Sequence, residues 1–255
     1  MAVGGVRYCK QHNRPSEKET LIMKILGISG SQRPDETSGV HMLVRTVLEN
    51  TGCDYELVSL RGKNISGCSA CLGCVEDNVC KIRDDAEPLR ARILAADAYV
   101  IGAPNFFSTL NATTHAFLER WYQFRHQTAD ALWGKLAVVV GVGGDDGAPA
   151  AGPIEMFMLY SFIETVAKVT GQGAACCFTC GYGETCDVGA IRMMHGPDFK
   201  ITPETTPSVA KQPDVMQAAA DAGKLLGQRL TTGHDRAEVT KKVQKMMMDL
   251  FASST

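Results

Sequence analysis

Residues Leu21–Ser29 read LIMKILGIS and run directly into Gly30–Gly39, GSQRPDETSG. A short apolar run bounded by a glycine-rich polar turn is the signal of a buried strand. A helix is expected next, over Val40–Asn50. The same alternation recurs along the chain. Asp54–Leu60 alternates and predicts a second strand, followed by a cysteine-bearing loop, Arg61–Asp85, and a helix, Ala86–Ala96. Ala98–Gly102 predicts a third strand that ends at Ala103-Pro104-Asn105, and Leu110–His126 has helical spacing. Leu136–Gly141 predicts a fourth strand. Pro153 suits the first turn of a helix reaching about Gly171, and Gln172–Cys180 predicts a fifth strand. Strands that each lead into a helix make an α/β, doubly wound, five-stranded parallel sheet, with the cysteine loop after strand two.

Asp187–Pro213 carries four prolines, too many for a regular element, and two helices, Asp214–Leu230 and Arg236–Phe251, form a C-terminal helical extension. The last helix gathers Val239, Val243, Met246, Met247, Leu250 and Phe251 on one side, a face that calls for a partner, either this chain or another subunit. The organisation expected is an arm at 1–20, one domain at 21–186 with the loop at 61–85, and the extension at 187–255.

The bulk numbers restrict the function classes. The 255 residues are 45% hydrophobic and 21% charged, with a formal net charge of −2, so nothing electrostatic points to nucleic acid or an anionic membrane. No apolar run reaches the span of a bilayer, and the first twenty residues lack the apolar centre of a secretory signal. A cytoplasmic location is therefore expected. Ten cysteines in a reducing compartment point to metal or redox chemistry before disulfides.

In a doubly wound sheet, ligands bind beyond the carboxyl ends of the strands. The loop after strand one offers Ser29, Ser31, Arg33, Thr37, Ser38 and Gly39: hydroxyls, a guanidinium, and a glycine that lets backbone amides approach an anion. Neither the dinucleotide glycine fingerprint nor the Walker lysine is present, and such a loop suits a single terminal phosphate, as in FMN. After strand three come Pro104, Asn105, Phe106, Phe107 and Ser108, an apolar wall with polar backbone. After strand four come Val142, Gly143 and Gly144. Cys68-x2-Cys71-x2-Cys74-x5-Cys80 places four thiols in one short loop, able to wrap a cubane cluster. Zinc, a thiol–disulfide pair and plain reduced thiols are the alternatives. Arg61, Lys63, Lys81 and Arg83 flank the loop, but Glu76, Asp77, Asp84 and Asp85 offset them.

A second group, Cys176-Cys177-x2-Cys180-x5-Cys186, repeats part of that spacing; a metal, a second cluster or buried small hydrophobes are its readings. On a strand, Cys176 and Cys177 would face opposite ways. Cys9 and Cys53 have no partner in sequence. His41, His115, His126 and His195 have no carboxylate beside them in a motif, and no general acid or base stands out.

Gly27-Ile28-Ser29-Gly30-Ser31-Gln32-Arg33 resembles the opening of the iron–sulfur flavoprotein and NADPH-dependent FMN reductase families, departing from them at Gln32, where proline is usual, and at Thr37-Ser38-Gly39. Gly102–Ser108 is similar to the families' segment around the isoalloxazine ring, Leu118-Glu119-Arg120 to their following helix, and Cys68–Cys80 to their compact cluster motif. The resemblance implies a flavodoxin-like fold, FMN, and a homo-oligomer, dimer or tetramer, in which flavin and cluster approach across subunits. It implies an FMN-dependent oxidoreductase that passes electrons between NAD(P)H or a ferredoxin-type partner and an acceptor through FMN and a [4Fe-4S] cluster on Cys68, Cys71, Cys74 and Cys80. A cluster-free NAD(P)H-dependent FMN, quinone or azo/nitro reductase is the alternative, and a redox sensor a further one.

Overall fold

The computed structural model describes residues 23–127 and 129–253. The expected arm at 1–20, with Cys9, and the first two residues of the expected first strand, Leu21 and Ile22, lie outside the described residues. In chain order the elements are β1 (Lys24–Ser29), α1 (Gly39–Glu49), β2 (Asp54–Ser59), α2 (Leu89–Ala95), β3 (Ala98–Phe106), β4 (Thr109–Leu110) and α3 (Ala112–Glu119). They continue with β5 (Leu136–Gly143), α4 (Ala148–Tyr160), β6 (Glu164–Gln172), α5 (Ala190–His195), α6 (Pro213–Thr231) and α7 (Arg236–Ala252).

The sheet runs β2-β1-β3-β5-β6 with every neighbour parallel, and the two-residue β4 folds back antiparallel on the end of β3. With that hairpin set aside, the order is the flavodoxin-like one, whose direction reverses between the first and third strands. β5 is buried along its whole length, as a central parallel strand must be when helices cover both faces. Alternate residues feed two cores. Leu26, Ile28, Tyr99, Ile101 and Val139 pack with Phe117, Trp121 and Ile154 on the α3 and α4 side. Ile25, Val100, Val138 and Val140 pack with Leu43, Val44, Val47 and Leu226 on the α1 and α6 side.

Three expectations are corrected. The fifth parallel strand is Glu164–Gln172, not Gln172–Cys180, and Cys176–Phe178 is a 3-10 turn beyond it. The helix before that strand begins at Ala148 and ends at Tyr160, so Pro153 lies inside it, and Pro149 takes the first-turn position. Asp187–Pro213 is not wholly irregular: it contains α5 and a 3-10 turn at Val209–Lys211.

α7 docks on its own chain by its first half. Val239 and Val243 are buried, and Arg236 donates to the carbonyls of Trp133, Asp130 and Ala131. Met246, Met248, Leu250 and Phe251, in its second half, are exposed. Lys135, buried, closes the end of α2 by donating to the carbonyls of Leu94 and Ala96 at 2.9 and 2.5 Å. No helix among the described residues is long and apolar enough to cross a membrane.

The start of β6 is tied to both terminal helices by one carboxylate. Glu164, 6% exposed, accepts from Arg229 Nη2 at 2.8 Å and from Lys242 Nζ at 2.7 Å. Burial opposes its ionisation, but the bonds from Arg229 and Lys242 outweigh it and hold its pKa below the ordinary value of 4.5. A depressed carboxyl stabilises the fold fully above its unfolded pKa and loses that contribution as pH falls through the folded one. Both cations are part-exposed, so Glu164→Gln should cost about 1–3 kcal/mol at pH 7. In urea titrations the deficit relative to the parent chain should shrink as pH drops below 4.5; a deficit constant from pH 7 to 3 would refute the ion-pair origin.

Candidate functional site

The carboxyl ends of β1, β3, β5 and β6 surround a cavity of ≈ 930 Å³. Of the residues expected to bind cofactor, Ser31, Arg33, Thr37, Ser38, Gly39, Pro104, Asn105, Phe106, Phe107, Val142, Gly143 and Gly144 all line it. Two do not. Ser29 ends β1 fully buried, its Oγ without a partner among the described residues, and Ser108 sits exposed at the tip of the β3–β4 hairpin.

The loop after β1 is pinned before it reaches the cavity. The Gly30 amide donates to the Gly102 carbonyl at 2.8 Å, and Asn111 Nδ2 donates to the Gly30 carbonyl at 2.9 Å. The first amides of a helix have no acceptor within it. Ser38 Oγ takes that of His41 at 3.1 Å, which leaves those of Gly39 and Val40, both lining the cavity, without an acceptor among the described residues. Arg33 donates to the Ala174 carbonyl at 2.7 Å, so it joins the β1 and β6 walls. Beyond β5, Gly141 to Gly147 doubles back so tightly that a Cβ on Gly143 would sit 1.8 Å from the Asp146 carbonyl oxygen. Only glycine permits that approach. Asn105 Nδ2 donates to the same oxygen at 3.0 Å, while its buried Oδ1 has no partner among the described residues.

The hairpin tip is strained. Phe107 and Ser108 have φ of 51° and 61°, the left-handed pair that a two-residue hairpin turn demands and that favours Asn or Gly. Phe107 is fully exposed at the cavity's mouth.

None of the expected cofactor contacts came from the fourth wall, Gly173–Cys176, Thr179, Ala190 and Thr206–Val209. It is held by contacts distant in sequence. Gln172 and Gln212 exchange side-chain and backbone hydrogen bonds at 3.0 and 2.6 Å, and Gly173 donates to the Gly143 carbonyl at 2.7 Å.

Fold also supplies two histidines with carboxylates that no motif announced. His115 lies 3.4 Å from Glu119. His41 Nδ1 lies 3.3 Å from Asp35 Oδ1, and its Nε2 is 3.0 Å from the Arg45 guanidinium. Burial lowers its pKa, against the pull of Asp35. The buried ring sits between Asp35 in the loop and Arg45 on α1, so its role is to brace the loop.

The cysteine loop leaves β2 on the same edge, but none of Cys68, Cys71, Cys74 and Cys80 lines the cavity. Gln32, the departure from the family pattern, links the two regions: it donates to the Leu60 carbonyl at 3.3 Å and accepts from the Gly62 amide at 3.2 Å. The loop is built around Arg120, whose side chain is 2% exposed beside Asp84 at 4%. Its guanidinium donates to Asp84 at 2.6 Å, to the Ser66 and Ile82 carbonyls, and to Cys80 Sγ at 3.2 Å. Burial pushes Asp84 up, but the Ser66 and Ala86 amides and Arg120 outweigh it and hold its carboxyl below the ordinary range.

Ala70, Leu72 and Asn78 adopt φ between 51° and 57°. The Cys68 and Cys80 amides donate to Glu119 Oε2 and Gln123 Oε1, both at 3.0 Å, which ties the two ends of the cysteine run to α3 and the turn after it. Burial raises the Cys74 thiol, and the charges of Cys80, Cys68 and Cys71 raise it further. Among the described residues no three His, Cys, Asp or Glu side chains are drawn together closely enough to hold a single ion.

A family model described as NADPH-dependent FMN reductase matches residues 23–173. An iron–sulfur flavoprotein of Methanocaldococcus jannaschii is 29% identical over 146 residues, which cover 55% of this chain and 75% of that protein. One from Archaeoglobus fulgidus is 29% identical over 147 residues, 58% of this chain and 75% of that protein. Among solved structures, RosB aligns with a TM-score of 0.56 at 15% identity, covering 88% of this chain and 87% of its own. A flavone reductase aligns at 0.53 and 16%, covering 82% and 64%. These two share the fold.

Removing Arg120 leaves Asp84 as an unpaired buried charge. Arg120→Met should cost about 3–5 kcal/mol in urea unfolding, and Arg120→Met with Asp84→Asn should recover part of it. Limited proteolysis should cut the single variant within 61–85 before anywhere else; cleavage at the parent's sites and rate would show that Arg120 does not organise the loop.

Proposed function

The chain belongs to the NADPH-dependent FMN reductase family and is a flavin-dependent oxidoreductase. From that premise we propose that it holds FMN in the carboxyl-edge cavity and passes electrons between a reduced donor, NAD(P)H or a ferredoxin-type protein, and an acceptor. In this reading a [4Fe-4S] cluster on Cys68, Cys71, Cys74 and Cys80 is the second carrier.

The observation that carries the flavin reading is the pair of open amides of Gly39 and Val40 beside the hydroxyls of Ser31, Thr37 and Ser38, on one wall of a cavity whose other walls are largely apolar. A helix start with free amides attracts a phosphate, and Arg33 adds charge beside it. Pro104, Phe106, Phe107 and Val142 give a ring an apolar surface, while Asn105 Oδ1, buried and without a partner among the described residues, offers an acceptor to a donor on the ring's edge. Bound FMN supplies the exchange between two-electron donors and one-electron carriers. The protein's part is to orient the ring against the Gly143–Gly144 turn and to exclude water with Thr206–Val209.

The donor set also fits a cluster. Four thiols share a loop with left-handed residues between them, and the Arg120 guanidinium already bonds Cys80 Sγ. Hydrogen bonds and positive charge at a ligand sulfur favour the thiolate and tune a cluster's potential. The relatives named iron–sulfur flavoproteins support the assignment. One observation favours the cluster-free reductase instead: none of the four cysteines reaches the cavity wall. On the cluster reading, electrons then pass either through the short protein link at Gln32 or across a homodimer or homotetramer, for which the exposed end of α7 offers an apolar face.

Absorption and metal analysis of anaerobically purified protein test this. The parent chain should carry FMN with about four iron and four sulfide assigned to this loop. Cys74→Ala should lose that iron and keep its flavin bands. Flavin bands without iron in the parent would favour the cluster-free reductase, and loss of FMN from the variant would mean that the two sites are not separate.

A further inference from the structure

The second cysteine group is left over. Cys176, Cys177, Cys180 and Cys186 lie in the loop that leaves the carboxyl end of β6. Free cysteine is among the most buried residue types. Here Cys176 and Cys180 are exposed, Cys177 and Cys186 are half-buried, and all four are free thiols, so packing does not account for them. Cys177-x2-Cys180-x5-Cys186 has the same spacing as Cys71-x2-Cys74-x5-Cys80. The objection that neighbouring cysteines face opposite ways does not hold. Cys176 and Cys177 sit in a 3-10 turn, where successive side chains are about 120° apart.

The loop closes on these residues. A Cβ on Gly183 would lie 2.2 Å from the Cys177 carbonyl oxygen, and one on Gly189 would lie 3.3 Å from Cys186 Sγ. Both glycines therefore let the chain fold back against cysteines. The Tyr182 amide donates to Cys180 Sγ at 3.4 Å, an N–H already directed at sulfur. Glu184 fastens the loop by accepting from the Ile201 amide at 2.8 Å. Cys176 and Thr179 line the flavin cavity.

We propose that this loop holds a second iron–sulfur cluster on the β6 wall of the cavity, ligated by Cys177, Cys180 and Cys186 with Cys176 as the fourth thiolate. The inference rests on the reading that the first loop, with the same spacing, takes a cluster. In neither loop do three thiols converge as tightly as one ion requires, and a four-iron cube spreads its ligands more widely than the tetrahedron around one ion.

The test is iron, sulfide and zinc analysis of the full-length chain after anaerobic reconstitution with ferrous iron and sulfide, with FMN absorption and circular dichroism as folding controls. The parent should hold about eight iron and eight sulfide per chain, and Cys74→Ala and Cys180→Ser should each hold about four. Cys186→Ser, at the other end of the loop, should match Cys180→Ser. About four iron in the parent, lost in Cys74→Ala and unchanged in both loop variants, would overturn this inference while the first cluster stands. Zinc lost from Cys180→Ser in place of iron would overturn it as well, and a parent without iron would overturn both.

Discussion

A parallel sheet buried on both faces has only its edges left for chemistry. β5 has no exposed residue, and its neighbour β3 is buried from Ala98 to Ala103, because helices cover both sides. Parallel strands all end on the same edge, so the segments leaving β1, β3, β5 and β6 must meet there whatever their separation in sequence. Everything else at the site follows from that convergence: the amides of α1 open where β1 ends, and the Gly143 turn and the β3–β4 hairpin stand beside them. The cavity is a consequence of topology before it is one of any single side chain.

The cysteine loop solves a different problem. It has no strand pairing and few apolar residues of its own, so its order rests on polar contacts. Arg120 acts as its core, with one buried guanidinium serving two carbonyls, a carboxylate and a thiol. Asp84 and Asp85 belong to the same scaffold: they accept the amides of Ser66, Ala86 and Asn64. Read as sequence, these acids counted against a positive field around the loop. In the fold both accept backbone amides, Asp84 also pairs with Arg120, and the same guanidinium reaches Cys80.

What was legible in the sequence was local. The strands β1, β2, β3 and β5 and the loops that follow them each declare themselves within a dozen residues, and twelve of the expected cofactor contacts lie on one cavity. β6 was missed for a physical reason. It is an edge strand, part-exposed along one side, and a register shift opposite Ala137–Val138 breaks its alternation at Val166. The apolar signal was stronger in Ala174–Cys177, which forms a turn. The contacts of the fourth wall were not legible because what holds it joins residues far apart, Gln172 to Gln212 and Arg33 to Ala174. No window of sequence contains both partners.

The strained positions follow the same division. Left-handed φ at Phe107 and Ser108 costs roughly 1–2 kcal/mol each, and Ala70 and Leu72 bear a similar cost in the cysteine loop. Glycine would remove that cost in either place. A fold keeps such residues only where surrounding contacts over-determine the backbone, and here they do: the hairpin is fixed by the pairing of Asn105 with Leu110 and Phe106 with Thr109, and the loop by Arg120. Yet a glycine at 107 would bring no aromatic ring to the mouth of the cavity, and one at 70 or 72 would loosen the amides between the cysteines. Strain retained at a cavity mouth and between the cysteines, on the edge that topology leaves open, argues that the exposed side chains of Phe107 and Leu72 are kept for something other than the packing of the protein itself.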